Sequence, residues 1–215
     1  MHAVLWRKGA PIDLGNLGGV TGLNLAFAIN NRGQVVGQSD VPGDAVHHAF
    51  LWDRGVMTDL GSLPGFGDST CVGAFGINAS DQVVGQAVQN FCNGPGAHAF
   101  LWEDGDMIDL NLFVPPGSDI TLTEVEQIND RGEMFGIGIL ANGDNRAFLL
   151  IPCDENHPET KGCDYSLVDA HAVAQTQKMT APALRGSVPL SVRRNRWLPT
   201  LTLDSTVPHA GVRLN

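Results

Sequence analysis

Three histidines, His2, His48 and His98, recur at one position of the sequence. Three aspartates, Asp13, Asp59 and Asp109, each follow eleven residues later. Asn30, Asn78 and Asn129 form a third recurrent set. Imidazole is a common metal ligand and a general base near neutral pH. Carboxylate and amide oxygens converging from several elements suit Ca2+, which takes about six to eight oxygen ligands. On this reading Asp59, Asp109, Asn78 and Asn129 are candidate Ca2+ ligands, and His48 or His98 is a candidate catalytic base. Such a centre would polarise a carbonyl and activate water for hydrolysis of small esters or lactones. The competing reading is structural. Asn ahead of a hairpin turn makes an Asx hydrogen bond, Asp does the same at a strand end, and His at a strand start bonds a neighbouring sheet. Arg146 stands where a fourth histidine would fall, and a metal site would not tolerate it, which favours the structural reading.

The other reactive residues are few. Cys71, Cys92, Cys153 and Cys163 allow three pairings, and proximity favours Cys71 with Cys92 and Cys153 with Cys163. Neither pair has zinc-ligand spacing, and an even count suits an oxidising compartment. Ser166, Asp169 and His171 lie close together, but neither a helix nor a strand puts all three on one face. No Gly-x-Ser-x-Gly nucleophile motif is present.

The elements that carry these residues come from an internal repeat. His48-Ala49-Phe50-Leu51-Trp52 returns as His98-Ala99-Phe100-Leu101-Trp102, with His2-Ala3-Val4-Leu5-Trp6 before it and Arg146-Ala147-Phe148-Leu149-Leu150 after it. The starts are spaced 46, 50 and 48 residues apart. A second block, Ile29-Asn30-Asn31-Arg32-Gly33-Gln34-Val35-Val36-Gly37, returns at Ile77–Gly85 and Ile128–Gly136. Each block reads as a β-hairpin, the first with a three-residue loop such as Asp53-Arg54-Gly55. Two hairpins per repeat make four strands in a little under fifty residues, the spacing of propeller blades. Val83 and Val84 are adjacent and point to opposite faces, so both faces of the sheet are apolar, as in a sheet stacked between two neighbours.

The two blocks, in register, resemble the HAF repeat family, named for the His-Ala-Phe triplet and found in bacterial extracellular repeat proteins. The resemblance covers about residues 2–152. It implies an all-β, propeller-like array and an extracellular or periplasmic location, and no shared reaction. The array comprises repeats at about 2–47, 48–97 and 98–145 with a partial copy at 146–152. Three repeats and one strand are too few to close a ring of four to eight blades. The expected ways out are a longer parent protein, oligomerisation that covers the open ends, or a threefold β-trefoil or β-prism. The N-terminus enters a strand directly, with no signal peptide, so as given the chain would stay in the cytoplasm.

Composition bounds the partners. The 215 residues carry a net charge of −10, which argues against nucleic acid, and no apolar run is long enough to span a membrane. Residues 153–215 form a different regime, a Cys-loop and Pro-containing tail with no Phe, expected to be partly disordered. Within it Asp164 would cap a short helix and Arg193-Arg194-Asn195-Arg196 is a small basic cluster. Two functions follow. One is an extracellular module that binds a protein, glycan or surface through loops that vary between copies, as binding loops on a fixed scaffold do. The other is the Ca2+-dependent hydrolase of lactones or esters, by analogy with propeller lactonases.

Overall fold

A computed structural model describes residues 2–154, other than 21, 44, 68, 69, 93–95 and 116, together with residue 157. The described residues are all-β, thirteen strands in four antiparallel sheets. A hairpin, β1 (Val4–Arg7) and β2 (Ala10–Asp13), comes first. A four-stranded sheet follows, in the order β3 (Asn24–Ile29), β4 (Val35–Asp40), β5 (His47–Asp53) and β6 (Val56–Asp59). A second repeats that order with β7 (Cys71–Ile77), β8 (Val83–Val88), β9 (His98–Glu103) and β10 (Asp106–Asp109). A 3-10 turn at Leu110–Phe113 leads into a three-stranded sheet of β11 (Ile120–Ile128), β12 (Met134–Leu140) and β13 (Asn145–Leu150). Among the described residues no helix is long and apolar enough to cross a membrane.

Among the described residues no strand of one sheet pairs with a strand of another, and no barrel closes. The sheets instead stack face to face. β7 crosses the faces of β3, β4 and β5, and β11 crosses β7, β8 and β9. Three apolar layers fill the spaces between the four sheets. Ala3 and Leu14 pack with Val35, Phe50 and Trp52 in the first layer. Val36 and Ala49 pack with Val72, Val83 and Phe100 in the second, and Val84, Ala99 and Leu101 with Leu122, Met134 and Phe148 in the third. The adjacent pairs Val35–Val36 and Val83–Val84 therefore divide between the two faces of their sheets, as the period of two requires.

The sheets are out of phase with the sequence period. A sheet begins on the second block and ends on the following first block, so the four-stranded units are 24–59 and 71–109. The first-block turns also differ from expectation. Asp53 pairs directly with Val56, leaving the two-residue loop Arg54-Gly55, and Glu103–Asp106 and Arg7–Ala10 close the same way. Arg54 and Gly55 both have positive φ, the geometry that matches the right-handed twist of the flanking strands.

The second block carries a further device. β3, β7 and β11 each bulge, at Phe27, at Phe75 and at both Thr123 and Glu126. Opposite each bulge sits Gly37, Gly85 or Gly136, where a Cβ would run into the carbonyl of Leu25, Gly73 or Glu124. The repeated glycine after Val-Val is thus fixed by a close backbone approach rather than by a turn. The bulged Phe27 and Phe75 rings meet edge to face at 5.5 Å between the two four-stranded sheets.

Candidate functional site

Strand direction divides the repeat's polar residues between two rims. The turns after the first and third strands of each sheet lie at one rim, and the connections after the second and fourth lie at the other. Asn30, Asn78 and Asn129 fall on the turn rim. His48, Asp59, His98 and Asp109 fall on the loop rim. The proposed Ca2+ set Asp59, Asp109, Asn78 and Asn129 is therefore split between opposite ends of the sheets.

On the turn rim the asparagines form a ladder. Asn78 Oδ1 accepts the Ser80 and Gln82 N–H groups at 2.9 and 3.1 Å. Its Nδ2 donates to Gln82 Oε1 at 2.6 Å and crosses to the next sheet to reach the Asn129 carbonyl at 3.0 Å. Asn30 does the same toward Arg32, Gln34 and the Asn78 carbonyl. Asn129 repeats the local part with Arg131 and Glu133. Each Oδ1 is committed to two backbone donors, the work of an Asx turn. The hydrogen bond from Asn129 is the main influence holding the Glu133 carboxyl below its ordinary range, aided by Arg131 and His157 and opposed by burial.

On the loop rim each histidine joins the aspartate eleven residues on. His2–Asp13 and His48–Asp59 are 3.0 Å apart and His98–Asp109 is 2.7 Å. Each aspartate also accepts the N–H two residues later, from Gly15, Gly61 or Asn111. The pair clips the start of the third strand to the end of the fourth within one sheet, not between sheets as expected. Burial raises the Asp59 pKa, but the His48 hydrogen bond and charge and the Gly61 N–H outweigh it and bring it below the ordinary value. The His98 ring also meets Phe66 edge to face at 4.8 Å.

Cys71 and Cys92 form a disulfide that ties the start of β7 to the loop after β8. Cys153 is also disulfide-bonded. Cys163, Ser166, Asp169, His171 and the arginine cluster lie outside the described residues. His47 Nδ1 is 3.8 Å from Cys92 Sγ, and His47, Cys71 and Cys92 together have the composition of a metal site. Both sulfurs are spent in the disulfide, and a thiolate is what a metal takes. Burial lowers the His47 pKa and His48 adds to that, while Asp40 opposes it. Sequence reasoning passed over His47 because it stands one residue outside the repeated block. It also missed Glu124, on the inner strand of the last sheet, whose pKa is raised by burial and by Glu126; its place in β11 holds no acid in the earlier copies, so no repeat pointed to it.

The loop rim is acidic. Asp13, Asp40, Asp59, Asp109, Asp119 and Asp144 lie there, and of the described Lys and Arg residues only Arg146 does. Arg7, Lys8, Arg32, Arg54 and Arg131 are at or beside the turns of the opposite rim. No family model, curated protein or solved structure matches this chain.

Proposed function

We propose that this chain is a non-catalytic β-repeat module of an exported protein that binds a basic partner through its loop rim. One observation carries the reading: variation and constancy are segregated. The turns Asn30–Gln34, Asn78–Gln82 and Asn129–Glu133 keep one length and one hydrogen-bond scheme. The connections between second and third strands, 41–46, 89–97 and 141–144, span six, nine and four residues. A rigid stack that changes only its loops at one end is built like a recognition scaffold. The acidic charge gathered at that end supports a partner of opposite sign, through complementarity that steers encounter and selects against acidic surfaces. The histidine–aspartate pairs hold the roots of these loops and are positioning residues on this reading.

The test is a binding screen of the full chain against glycan and peptide arrays of graded charge. Basic probes should bind, binding should weaken with salt, and Asp119→Lys with Asp144→Lys, both exposed, should weaken it further. Binding indifferent to charge, or chelator-sensitive hydrolysis of lactones or esters without any bound partner, would replace this reading with the hydrolase.

A further inference from the structure

We propose that the first hairpin and the exposed face of β3 form a docking site for a β-hairpin of the repeat's own second-block type, additional to the three seated in the described sheets. The repeat specifies the occupant, because every other sheet shows what belongs there. β5, β9 and β13 each pair on one side with a second-block strand, β4, β8 or β12. β1 is their equivalent by sequence, yet among the described residues it pairs only with β2. Its other edge offers unused main-chain hydrogen-bonding groups, which is how extended segments are recruited by strand addition.

Side chains give the same answer from a different direction. The inner strand of a sheet packs against the preceding sheet, so Ala74 and Ile77 of β7 are buried at 0% and 8% exposure. Ile29 of β3 is the equivalent of Ile77 and is 55% exposed, and Ala26, the equivalent of Ala74, is exposed too. Between this face and the first hairpin lies an open apolar hollow of about 210 Å³, floored by Ala26–Ile29 and Val35 and walled by Val4, Leu5 and Leu14. No polar side chain lines it, so it suits apolar strand residues such as the second valine of the Val-Val pair.

The asparagine ladder supplies a third, polar observation. The Asn78 and Asn129 carbonyls each receive an Asn Nδ2 from the preceding repeat. The Asn30 carbonyl, first of the series, receives only the Gly33 N–H of its own turn among the described residues. A hairpin seated on β1 would bring its own turn asparagine to that acceptor. Residues 158–215 contain no copy of the second block. The site lies on an end face of the stack, apart from the loop rim, so its failure would leave the rim reading intact.

The experiment uses the full chain and a fluorescent synthetic peptide of residues 23–40, which is one second-block hairpin. Saturable binding is expected, with a dissociation constant of about 1–100 μM, since the peptide must order on binding. A scrambled peptide should not bind, and a peptide carrying Val36→Lys should lose at least about tenfold. Ile29→Lys in the full chain places a charge on an exposed position of the floor, so it should fold normally by circular dichroism and yet abolish binding. Hydrogen exchange at the amides of β1 should slow when the peptide is added. No binding by the full chain, or binding equal for the scrambled peptide or unchanged by Ile29→Lys, would overturn the proposal.

Discussion

Replacing Asn78 with alanine tests whether the asparagine ladder holds neighbouring sheets together. Asn78 is 2% exposed and its side chain makes four hydrogen bonds, three within its own turn and one to the next sheet. The Ser80 N–H can turn to water after the substitution, because Ser80 is exposed. Gln82 is 1% exposed and cannot, so its N–H and Oε1 lose their partner, and the Asn129 carbonyl loses its link to the second sheet. Three bonds at about 1 kcal/mol each put the loss near 3 kcal/mol. The same change at Asn129, which is exposed and makes no onward bond in the described structure, should cost about 1 kcal/mol. Urea unfolding followed by tryptophan fluorescence would give both values. Asn78→Asp separates the two halves of the side chain, since it keeps the acceptor but sets a carboxylate oxygen against Gln82 Oε1 and the Asn129 carbonyl. It should be at least as damaging as alanine at neutral pH and should recover partly in acid, when the carboxyl protonates. An Asn78→Ala loss no larger than that of Asn129→Ala would refute the reasoning.

Gly85→Ala should destabilise the second sheet by more than about 2 kcal/mol, because its Cβ meets backbone rather than a movable side chain, whereas Gly33→Ala should act only through its positive φ; equal losses in thermal melts would argue against a close-approach role. Asp59 gives a pH signature. Its folded pKa lies below the ordinary 3.8, so its contribution is complete above that value and is lost as pH falls through the folded one. Asp59→Asn should therefore lower stability at pH 7 and flatten the acid limb below about pH 4 in a series of melts, and an unchanged acid limb would count against the His48–Asp59 pair as a clip.

Much of the architecture was legible because it rests on short-range rules repeated three times. Period-two alternation in Val83-Val84 fixed a sheet buried on both faces, and Asn-x-x-Gly-Gln marked its turns. The proximity of Cys71 and Cys92 led to the right bond. What stayed hidden depends on register and strand direction. Sequence order cannot say which rim a residue reaches, so Asp59 and Asn78 could be imagined in one site although they sit at opposite ends of the sheets. The bulge at Phe75 also could not be read, because its signal is a glycine on the partner strand, Gly85, which resembles any other glycine until the two backbones are brought together.

The offset between sequence period and sheet has a practical meaning for dissecting the molecule. A cut at the start of a first block, between His47 and His48, passes through the beginning of β5 and leaves β3 and β4 without their neighbours, so neither product holds that sheet whole. A cut in the connection 60–70 falls between sheets and severs no ladder. The heritable unit and the unit of folding therefore have different borders. Duplicating one period from first block to first block adds a complete sheet only because its two halves are claimed by neighbours on either side, so the array would lengthen without ever exposing a new kind of junction.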